Sequence, residues 1–354
     1  MTDALTKLTY QAFQQGKSYF SLTHQTLANQ LLNWINPIAT EAKTEPLSPA
    51  ILLKVQSLLN QIIETDWEDA EQGVYPVSIL FDNSWDDFWR YYPMLLLDLP
   101  QRRQRINQKR YQDFSSEIDT EGYPSYYIQN FHHQTDGYLS EMSANLYDLQ
   151  VEILFSGAAD LMRRRVLAPL KTGLLKGFNT IPEKQIRLLD VACGTGRTLR
   201  NIRAMLPKAS LFGVDLSPTY LRKANQILSE LPQELPQLIQ ANAEDLPFPD
   251  NFFQGVTSVF LFHELPASVR QRVIDECFRV TKPGGVFIIC DSIQLQDHPD
   301  LKPMLENFSK TFHEPYYHHY ITDDLGERLE KAGFQTINLQ THFASKYWIA
   351  HKPY

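Results

Sequence analysis

The sequence contains little cysteine, and it lacks any hydrophobic run as long as a membrane span. The cysteines Cys193, Cys277 and Cys290 lie far apart, which matches neither a disulfide framework nor the spacing of a zinc site. No apolar stretch reaches the roughly 18 residues that a transmembrane helix needs. The opening residues, MTDALTKLTYQ, also lack the apolar core of a secretion signal. We therefore expect a cytoplasmic protein without a membrane span.

Positive charge is also scarce, which argues against broad affinity for nucleic acid. The 33 Lys and Arg residues are outnumbered by 41 Asp and Glu residues, giving a formal net charge of −8. Basic residues do cluster in two runs, one between Gln101 and Arg110 and one at residues 163–165. A solvated helix face is the leading interpretation of these runs, and contact with an anionic substrate or RNA is the alternative.

The first half of the chain has the pattern of a helical region. Ser48 and Pro49 form a typical helix start before the apolar positions of residues 51–62. The polar stretch from Gln112 to Pro124 predicts a loop, and helical periodicity resumes from Gly137 to Leu170. We assign residues 1–175 to a helical N-terminal region that covers part of the substrate.

After Lys184 strands and helices alternate, which is typical of parallel strands joined by right-handed crossovers. Two final strands, Phe334–Leu339 and Lys346–Ala350, are joined by a short link and therefore predict an antiparallel pair. The expected fold is α/β, a doubly wound and mostly parallel sheet with an antiparallel C-terminal strand pair, preceded by the helical region. The sheet domain is assigned to residues 176–354.

The most informative segment, LLDVACGTGRT at residues 188–198, combines a buried strand, a glycine turn and a helix start. Gly194 and Gly196 permit close backbone approach, and the helix that follows offers free N–H groups to an anion. Asp190 at the strand end can hold an ammonium group. Asp215 ends the next strand, 25 residues later, and can accept both hydroxyls of a ribose. These groups suit an amino acid joined to a nucleoside.

A dinucleotide site is the competing interpretation of the same turn. Its G-x-G-x-x-G pattern requires a third glycine, but Leu199 occupies that position. Asp190, directly ahead of the turn, would repel a pyrophosphate. We therefore favour the first interpretation.

Four segments in order resemble the class I S-adenosylmethionine-dependent methyltransferases, in particular the branch that includes quinone-biosynthesis enzymes. The segments are LLDVACGTG, VDLSPTYL, ANAEDLPFPDNFFQGVTS and RVTKPGGVFIICDS, and the resemblance covers residues 184–351. It implies S-adenosylmethionine as the cofactor.

The resemblance also implies roles for individual residues. Asp190, Gly194 and Gly196 would receive the methionine moiety, Asp215 the ribose, and Leu216 would pack on the adenine. The adenine edge would be read by Asn242, Ala243 and Glu244. Two positions depart from the family pattern: Ala192 replaces its first glycine, and Asn242 replaces a frequent aspartate whose acceptor role an amide oxygen can keep.

Residues that could bind the methyl acceptor follow the fourth strand. His263 and Glu264 lie where a base or an acceptor-orienting group would be needed, although both could simply begin the next helix. The segment FHEPYYHHY at residues 312–320 is placed as a substrate lid, so Tyr316, Tyr317 and His318 are candidates for the pocket wall.

Two further assignments complete the predicted site. In the segment from Phe131 to Ser140, Tyr138 and His132 are candidates for a cover over the cofactor, and a packed aromatic joint is the alternative. The spacing of His313, Glu314, His318 and His319 matches no metal site, so we predict no metal.

The predicted function is methyl transfer from S-adenosylmethionine to a small aromatic or amphipathic molecule. One alternative is a regulatory protein that binds the cofactor without turnover. The other is an RNA methyltransferase, which depends on the two basic runs.

Overall fold

The structure, a computed structural model, describes residues 4–35, 46–82, 85 and 87–354. A helical N-terminal region precedes a seven-stranded sheet with the strand order β3-β2-β1-β4-β5-β7-β6. The strands are β1 (Arg187–Val191), β2 (Ser210–Asp215), β3 (Gln237–Gln240), β4 (Phe253–Val259), β5 (Thr281–Ser292), β6 (Gln335–His342) and β7 (Ser345–His351). The helices are α1 (Ala4–Ile35), α2 (Pro49–Glu71), α3 (Phe88–Gln108), α4 (Glu141–Leu154), α5 (Ala159–Arg164), α6 (Leu167–Phe178), α7 (Arg197–Met205), α8 (Pro218–Leu228), α9 (Ala267–Val280), α10 (Lys302–Thr311), α11 (Tyr317–Tyr320) and α12 (Leu325–Ala332).

The sheet confirms the predicted fold class. The strands from β1 to β5 pair in parallel, whereas β7 runs antiparallel to both β5 and β6. Because the strand order reverses direction between β1 and β4, the carboxyl ends of these two strands border a crevice where ligands bind in such sheets. In register, Asp190 of β1 lies beside Thr257 of β4.

The N-terminal region is helical as predicted, but its last stretch is not one helix. The pattern from Gly137 to Leu170 divides into α4, α5 and the start of α6. The break follows α4, where Ser156 and Gly157 have φ values of 53° and 80°. A Cβ on Gly157 would lie 2.6 Å from the Lys17 Cβ, so the close approach of α1 requires glycine at this turn.

The prediction that the basic runs are solvated is wrong for most of their arginines. Residues 163–165 are all buried, and each arginine pairs with a buried aspartate. Arg164 forms a two-pronged pair with Asp66 of α2, with N–O distances of 2.9 and 2.7 Å. In the first run, Arg103 and Arg105 are buried as well. Burial of an arginine requires a partner, so these residues hold the helices together rather than face solvent.

The N-terminal helices share a core with the sheet. One buried apolar cluster includes Trp67 of α2, Met162 of α5 and Ile288 of β5. Asp148 of α4 contacts the turn after β1, because it accepts hydrogen bonds from Thr195 (2.7 Å) and Arg197 (3.2 Å). The helical region therefore positions the segment where the sequence places the cofactor. Among the described helices, none is both long enough and apolar enough to cross a membrane.

Candidate active site

The turn after β1 has the backbone geometry that its small residues permit. Ala192, Gly194 and Gly196 have positive φ angles of 56°, 53° and 79°. A Cβ on Gly196 would lie 3.0 Å from the Ala224 Cβ of α8, so a side chain at Gly196 would crowd α8. Gly196 also caps the N-terminus of α7. The backbone N–H groups of Cys193 and Gly194 donate to the Val214 carbonyl and the Asp215 carboxylate, so the turn is held against the end of β2.

Asp215 lies beside this turn, at the end of β2. Its carboxylate accepts hydrogen bonds from the backbone N–H groups of Gly194 (2.9 Å) and Ser217 (2.8 Å). Burial raises the pKa of Asp215 to about 6, and the two N–H groups oppose that rise. The carboxylate is thereby held in a fixed orientation and titrates close to neutral pH.

Asp190 is more deeply placed than Asp215. Its side chain is 1% exposed and accepts a hydrogen bond from the Thr257 hydroxyl at 2.7 Å. Burial raises the pKa of Asp190 to about 7, with a further contribution from the charge of Asp215. Asp190 is therefore adjacent to the turn, but its carboxyl is directed to β4.

A cavity of about 90 Å³, partly open to solvent, begins at the turn and at Asp215. Its other wall is aromatic and comes largely from the segment before α4 and from α4 itself. The lining residues are Tyr126, Tyr127, Phe131, Tyr138, Tyr147, Ala192, Gly194, Val214, Asp215, Leu216, Tyr220, Ala241, Asn242, Ala243, Val259, Phe260, Leu261, Glu264, Leu265 and Val273.

The cavity brings together most of the residues that the sequence singled out. Ala192, Gly194, Asp215, Leu216, Asn242, Ala243, Tyr138 and Glu264 all line it. Glu244 and His263 are next to lining residues in the chain, whereas Asp190 and Gly196 are each two positions from one. The Glu244 carboxylate is held outside by hydrogen bonds from Tyr126 and Arg272, each at 2.5 Å.

The three residues proposed for the pocket wall in the lid segment, Tyr316, Tyr317 and His318, are not among the residues that line the cavity. Tyr317 is 2% exposed, and its hydroxyl lies 2.9 Å from the Ser292 hydroxyl. Tyr316 packs against the aromatic cluster that contains Tyr138, and His318 is exposed. The segment instead contributes Glu314, which is buried next to the cavity.

Sequence reasoning missed most of the aromatic wall. Phe131 stacks on Tyr138, with ring centroids 5.6 Å apart, and Tyr220 contacts both Tyr138 and Tyr147 edge to face at 5.5 Å. The Tyr127 hydroxyl is buried and has no hydrogen-bond partner among the described residues. The high frequency of tyrosine between residues 123 and 138 is the sequence feature that could have predicted this wall.

A cluster of acids and histidines lies beside Glu264. His263 Nδ1 is 2.6 Å from Asp291 Oδ1, and the Tyr138 hydroxyl donates a hydrogen bond to Glu264. Glu314 Oε1 lies 3.1 Å from His132 Nε2. Sequence separation hid this arrangement, since its members come from four segments of the chain, at residues 132–138, 263–264, 291 and 314.

Burial and mutual charge shift the pKa values of this cluster in different directions. Burial raises the pKa of Glu264 to about 7 and, together with the Glu264 charge, raises the pKa of Glu314 well above its usual range. Burial also lowers the pKa of His132 well below its usual value. For His263, burial disfavours the charged ring, but Asp291 outweighs it and raises the pKa to about 9.

Comparison with known proteins gives consistent results. A family model described as a methyltransferase domain matches residues 188–285. A demethylmenaquinone methyltransferase of Anoxybacillus flavithermus is 30% identical over 195 residues, which cover 48% of this chain and 80% of that protein. The chain belongs to the S-adenosylmethionine-dependent methyltransferase family. The turn after β1 and the acid at the end of β2 therefore lie within the matched domain, and the cofactor of the family is S-adenosylmethionine.

Other relatives match a smaller share of their length. A demethylmenaquinone methyltransferase of Symbiobacterium thermophilum is 41% identical over 156 residues, but the match covers 44% of this chain and 57% of that protein. Among solved structures, an S-adenosylmethionine-dependent methyltransferase of Aquifex aeolicus is 19% identical with a TM-score of 0.36, covering 53% of this chain and 97% of that one.

Proposed function

We propose that this family member transfers a methyl group from S-adenosylmethionine to a small aromatic or amphipathic acceptor. One observation carries the proposal: a single cavity joins the Asp215 carboxylate and the glycine turn to a wall of tyrosines and phenylalanines. The first part suits a nucleoside with an amino-acid tail, and the second suits a flat apolar ring. The cofactor and the acceptor would then bind next to each other in the same cavity.

The residues at the turn fit the cofactor. Gly194 allows close approach of the backbone, and Asp215 offers acceptor oxygens for two ribose hydroxyls. The Tyr127 hydroxyl, which lacks a hydrogen-bond partner among the described residues, is available to a ligand in the cavity. Leu216, Asn242 and Ala243 line the part of the cavity proposed for the adenine.

When bound, S-adenosylmethionine supplies a methyl group on a sulfonium sulfur, which leaves as a neutral thioether when an acceptor lone pair attacks. Positioning therefore contributes much of the rate. The aromatic wall excludes water and holds the ring of the acceptor, while Glu264 and His263 orient its polar group. We propose no role for Glu244 in chemistry, because Tyr126 and Arg272 occupy its carboxylate.

The relatives favour a quinone-type acceptor in its reduced form. Several of them are demethylmenaquinone methyltransferases, and the aromatic wall suits a ring of that kind. Burial of residues 163–165 in ion pairs weighs against the RNA alternative, although Lys109 and Arg110 of the first basic run are exposed. The regulatory alternative keeps the cofactor site and differs only in lacking turnover.

The test is transfer of a labelled methyl group. We expect the full chain, given labelled cofactor, to label reduced demethylmenaquinone or another phenolic compound from a panel and from cell extract, and to leave RNA unlabelled. Tyr147→Ala should reduce transfer at least tenfold, because it removes part of the ring-binding wall. Cofactor affinity measured by calorimetry should change little in this variant.

The result that would overturn the proposal is tight cofactor binding without a labelled small molecule from any source, which would favour the regulatory alternative. Labelled RNA would favour the third function. Asp300→Asn, at an exposed acid that does not line the cavity, serves as the matched control and should transfer label like the unmodified chain.

A further inference from the structure

Two histidines and two glutamates converge beside the acceptor part of the cavity. His132, His263, Glu264 and Glu314 each offer one nitrogen or oxygen atom, and these atoms all lie within 4.8 Å of one another. They come from three separate segments: the residues before α4, the turn after β4 and the loop after α10. The fold, rather than local sequence spacing, assembles this set.

His263 has the second contact that is typical of a metal ligand. Its Nδ1 is 2.6 Å from Asp291 Oδ1, which leaves Nε2 directed towards Glu264 Oε1 at 3.9 Å. Asp291 is itself fixed by the backbone N–H groups of Phe262 (2.6 Å) and His263 (3.3 Å). A carboxylate behind a histidine sets the ring orientation and tautomer of metal-binding imidazoles.

Glu314 provides an independent observation. Its side chain is fully buried, and neither carboxylate oxygen accepts a hydrogen bond from any residue in the described part of the chain. The nearest cation-forming group is His132, with Nε2 3.1 Å from Oε1. The backbone N–H of His132 donates to the His313 carbonyl at 3.2 Å, and it also opposes the rise in the pKa of Glu314. A buried carboxylate without hydrogen bonds is costly unless a cation compensates it or a proton neutralises it.

The backbone conformation of His132 is also unusual. Its φ of 53° lies in the left-handed region, which non-glycine residues rarely occupy. The neighbouring His133 also has a positive φ, at 58°. Unusual backbone conformations of this kind concentrate at ligand-binding sites, where the surrounding structure enforces them.

We propose that His132, His263, Glu264 and Glu314 bind a divalent transition-metal ion. Metal–ligand bonds of about 2.0–2.2 Å place neighbouring donor atoms roughly 3–3.5 Å apart, so the cluster needs only a modest contraction. Two imidazole nitrogens favour zinc, iron or cobalt over magnesium and calcium, which prefer oxygen ligands. The prediction of no metal considered the three cysteines and the residues 313–319, whereas this set draws on distant segments.

The consequence for the acceptor rests on the proposed function. Glu264 lines the cavity together with Phe131 and Tyr138, so the ion would border the space assigned to the acceptor. An ion with an open coordination position binds oxygen donors of a substrate. The site therefore favours aromatic acceptors that present a hydroxyl or carbonyl oxygen to the ion.

The experiment measures metal binding directly. The untagged full chain is stripped with a chelator and titrated in a calorimeter with Co²⁺, Zn²⁺ and Mg²⁺ separately, and the Co²⁺ complex is also followed by visible absorption. We expect one equivalent of Co²⁺ or Zn²⁺ to bind, with much weaker binding of Mg²⁺. Glu314→Gln and His132→Gln should each weaken Co²⁺ binding at least tenfold and alter the spectrum.

The matched control is His313→Gln, next to Glu314 in the chain. His313 stacks on Tyr111 and lies 2.9 Å from Gln129 Oε1, outside the cluster, so this variant should bind Co²⁺ like the unmodified chain. Circular dichroism and cofactor titration of every variant establish that it is folded. Should a folded variant of Glu314 and one of His132 both bind Co²⁺ with unchanged affinity, the site assignment is wrong.

The result also separates this inference from the proposed function. A stripped chain that binds S-adenosylmethionine and transfers label but takes up neither Co²⁺ nor Zn²⁺ would overturn the metal site alone. A chain that binds Co²⁺ through Glu314 and His132 but labels no acceptor would overturn the proposed function alone.

Discussion

Asp215 combines a rigid position with a pKa near neutrality. Two backbone N–H groups orient its carboxylate, and burial raises its pKa to about 6. In the proposed complex the ionised form accepts the ribose hydroxyls, and protonation replaces an acceptor by a donor. Cofactor affinity should therefore depend on the protonation state of this one carboxyl group.

We predict that S-adenosylmethionine affinity falls as pH decreases through about 6, by up to tenfold for each pH unit below it. The sign follows from the raised pKa: above it the carboxylate is ionised and competent, and below it a proton must leave before the cofactor binds. Asp215→Asn should bind at least tenfold more weakly at pH 8 and lose this component of the pH dependence. Calorimetry between pH 5 and 8 provides the measurement.

Asp245→Asn is the appropriate comparison, since Asp245 is exposed and lies outside the cavity lining. Its affinity profile should coincide with that of the unmodified chain. Equal affinity of Asp215→Asn and the unmodified chain at pH 8 would show that the ribose assignment is wrong.

Single residues at the glycine turn could be located from sequence because a short segment contains the whole signal. Asp190, Gly194 and Gly196 lie within seven positions of one another, and Asp215 ends the next strand. Glu314 and Asp291 could not be located in this way. Nothing in their neighbourhood indicates that the chain returns them to His263, and only the completed fold makes that contact.

At the level of elements, the turn between β1 and α7 shows how backbone geometry constrains the site. Gly196 has a φ of 79°, and an added Cβ would lie 3.0 Å from the Ala224 Cβ. We predict that Gly196→Ala lowers the free energy of unfolding by about 1–2 kcal/mol, the usual penalty for a left-handed conformation with a side chain. Thermal or denaturant unfolding followed by circular dichroism measures the loss.

Gly16 is the matched control for this substitution. It lies within α1, and a Cβ there would meet no atom within 4 Å. Gly16→Ala should therefore leave stability unchanged or raise it by roughly 0.5–1 kcal/mol, since alanine favours helix. If the two variants unfold alike, the constraint attributed to the turn does not exist.

Strand and helix alternation predicted the sheet well, because buried parallel strands are short apolar runs with clear ends. Observed β2 spans Ser210–Asp215, and the sequence analysis likewise ends the second strand at Asp215. The break in residues 137–170 was harder to predict, since the apolar periodicity continues across Ser156 and Gly157. The close contact of Gly157 with Lys17 of α1, which determines the break, is a tertiary contact.

For the molecule as a whole, the proposed division at residues 175 and 176 would cut through α6. This helix packs on the sheet: a Cβ on Gly173 would lie 2.8 Å from a Val286 methyl carbon, and Leu170 lies against Gly255. Leu167 and Leu170 are fully buried. The sequence could not reveal this contact, because the helical pattern ahead of β1 looks the same whether or not it packs on the sheet.

We predict that a shortened chain of residues 176–354 lacks a cooperative unfolding transition and does not bind the cofactor. It would lose Leu167 and Leu170 from the face of the sheet, and it would lose Asp148, which holds Thr195 and Arg197 at the turn. Near-ultraviolet circular dichroism and cofactor titration compare it with the full chain. Cooperative unfolding with retained cofactor affinity would instead establish two independent domains.

The aromatic wall has a consequence for how two ligands influence each other. Its tyrosines come largely from the helical region, whereas Asp215 and the glycine turn belong to the sheet. A ligand bound in the cofactor part of the cavity therefore contacts side chains that also border the acceptor part, and the converse holds for the acceptor. This linkage is reciprocal: if the cofactor changes the affinity for the acceptor by a given factor, the acceptor changes the affinity for the cofactor by the same factor. The same aromatic side chains would then influence both the order in which the two ligands bind and the rate at which the products are released.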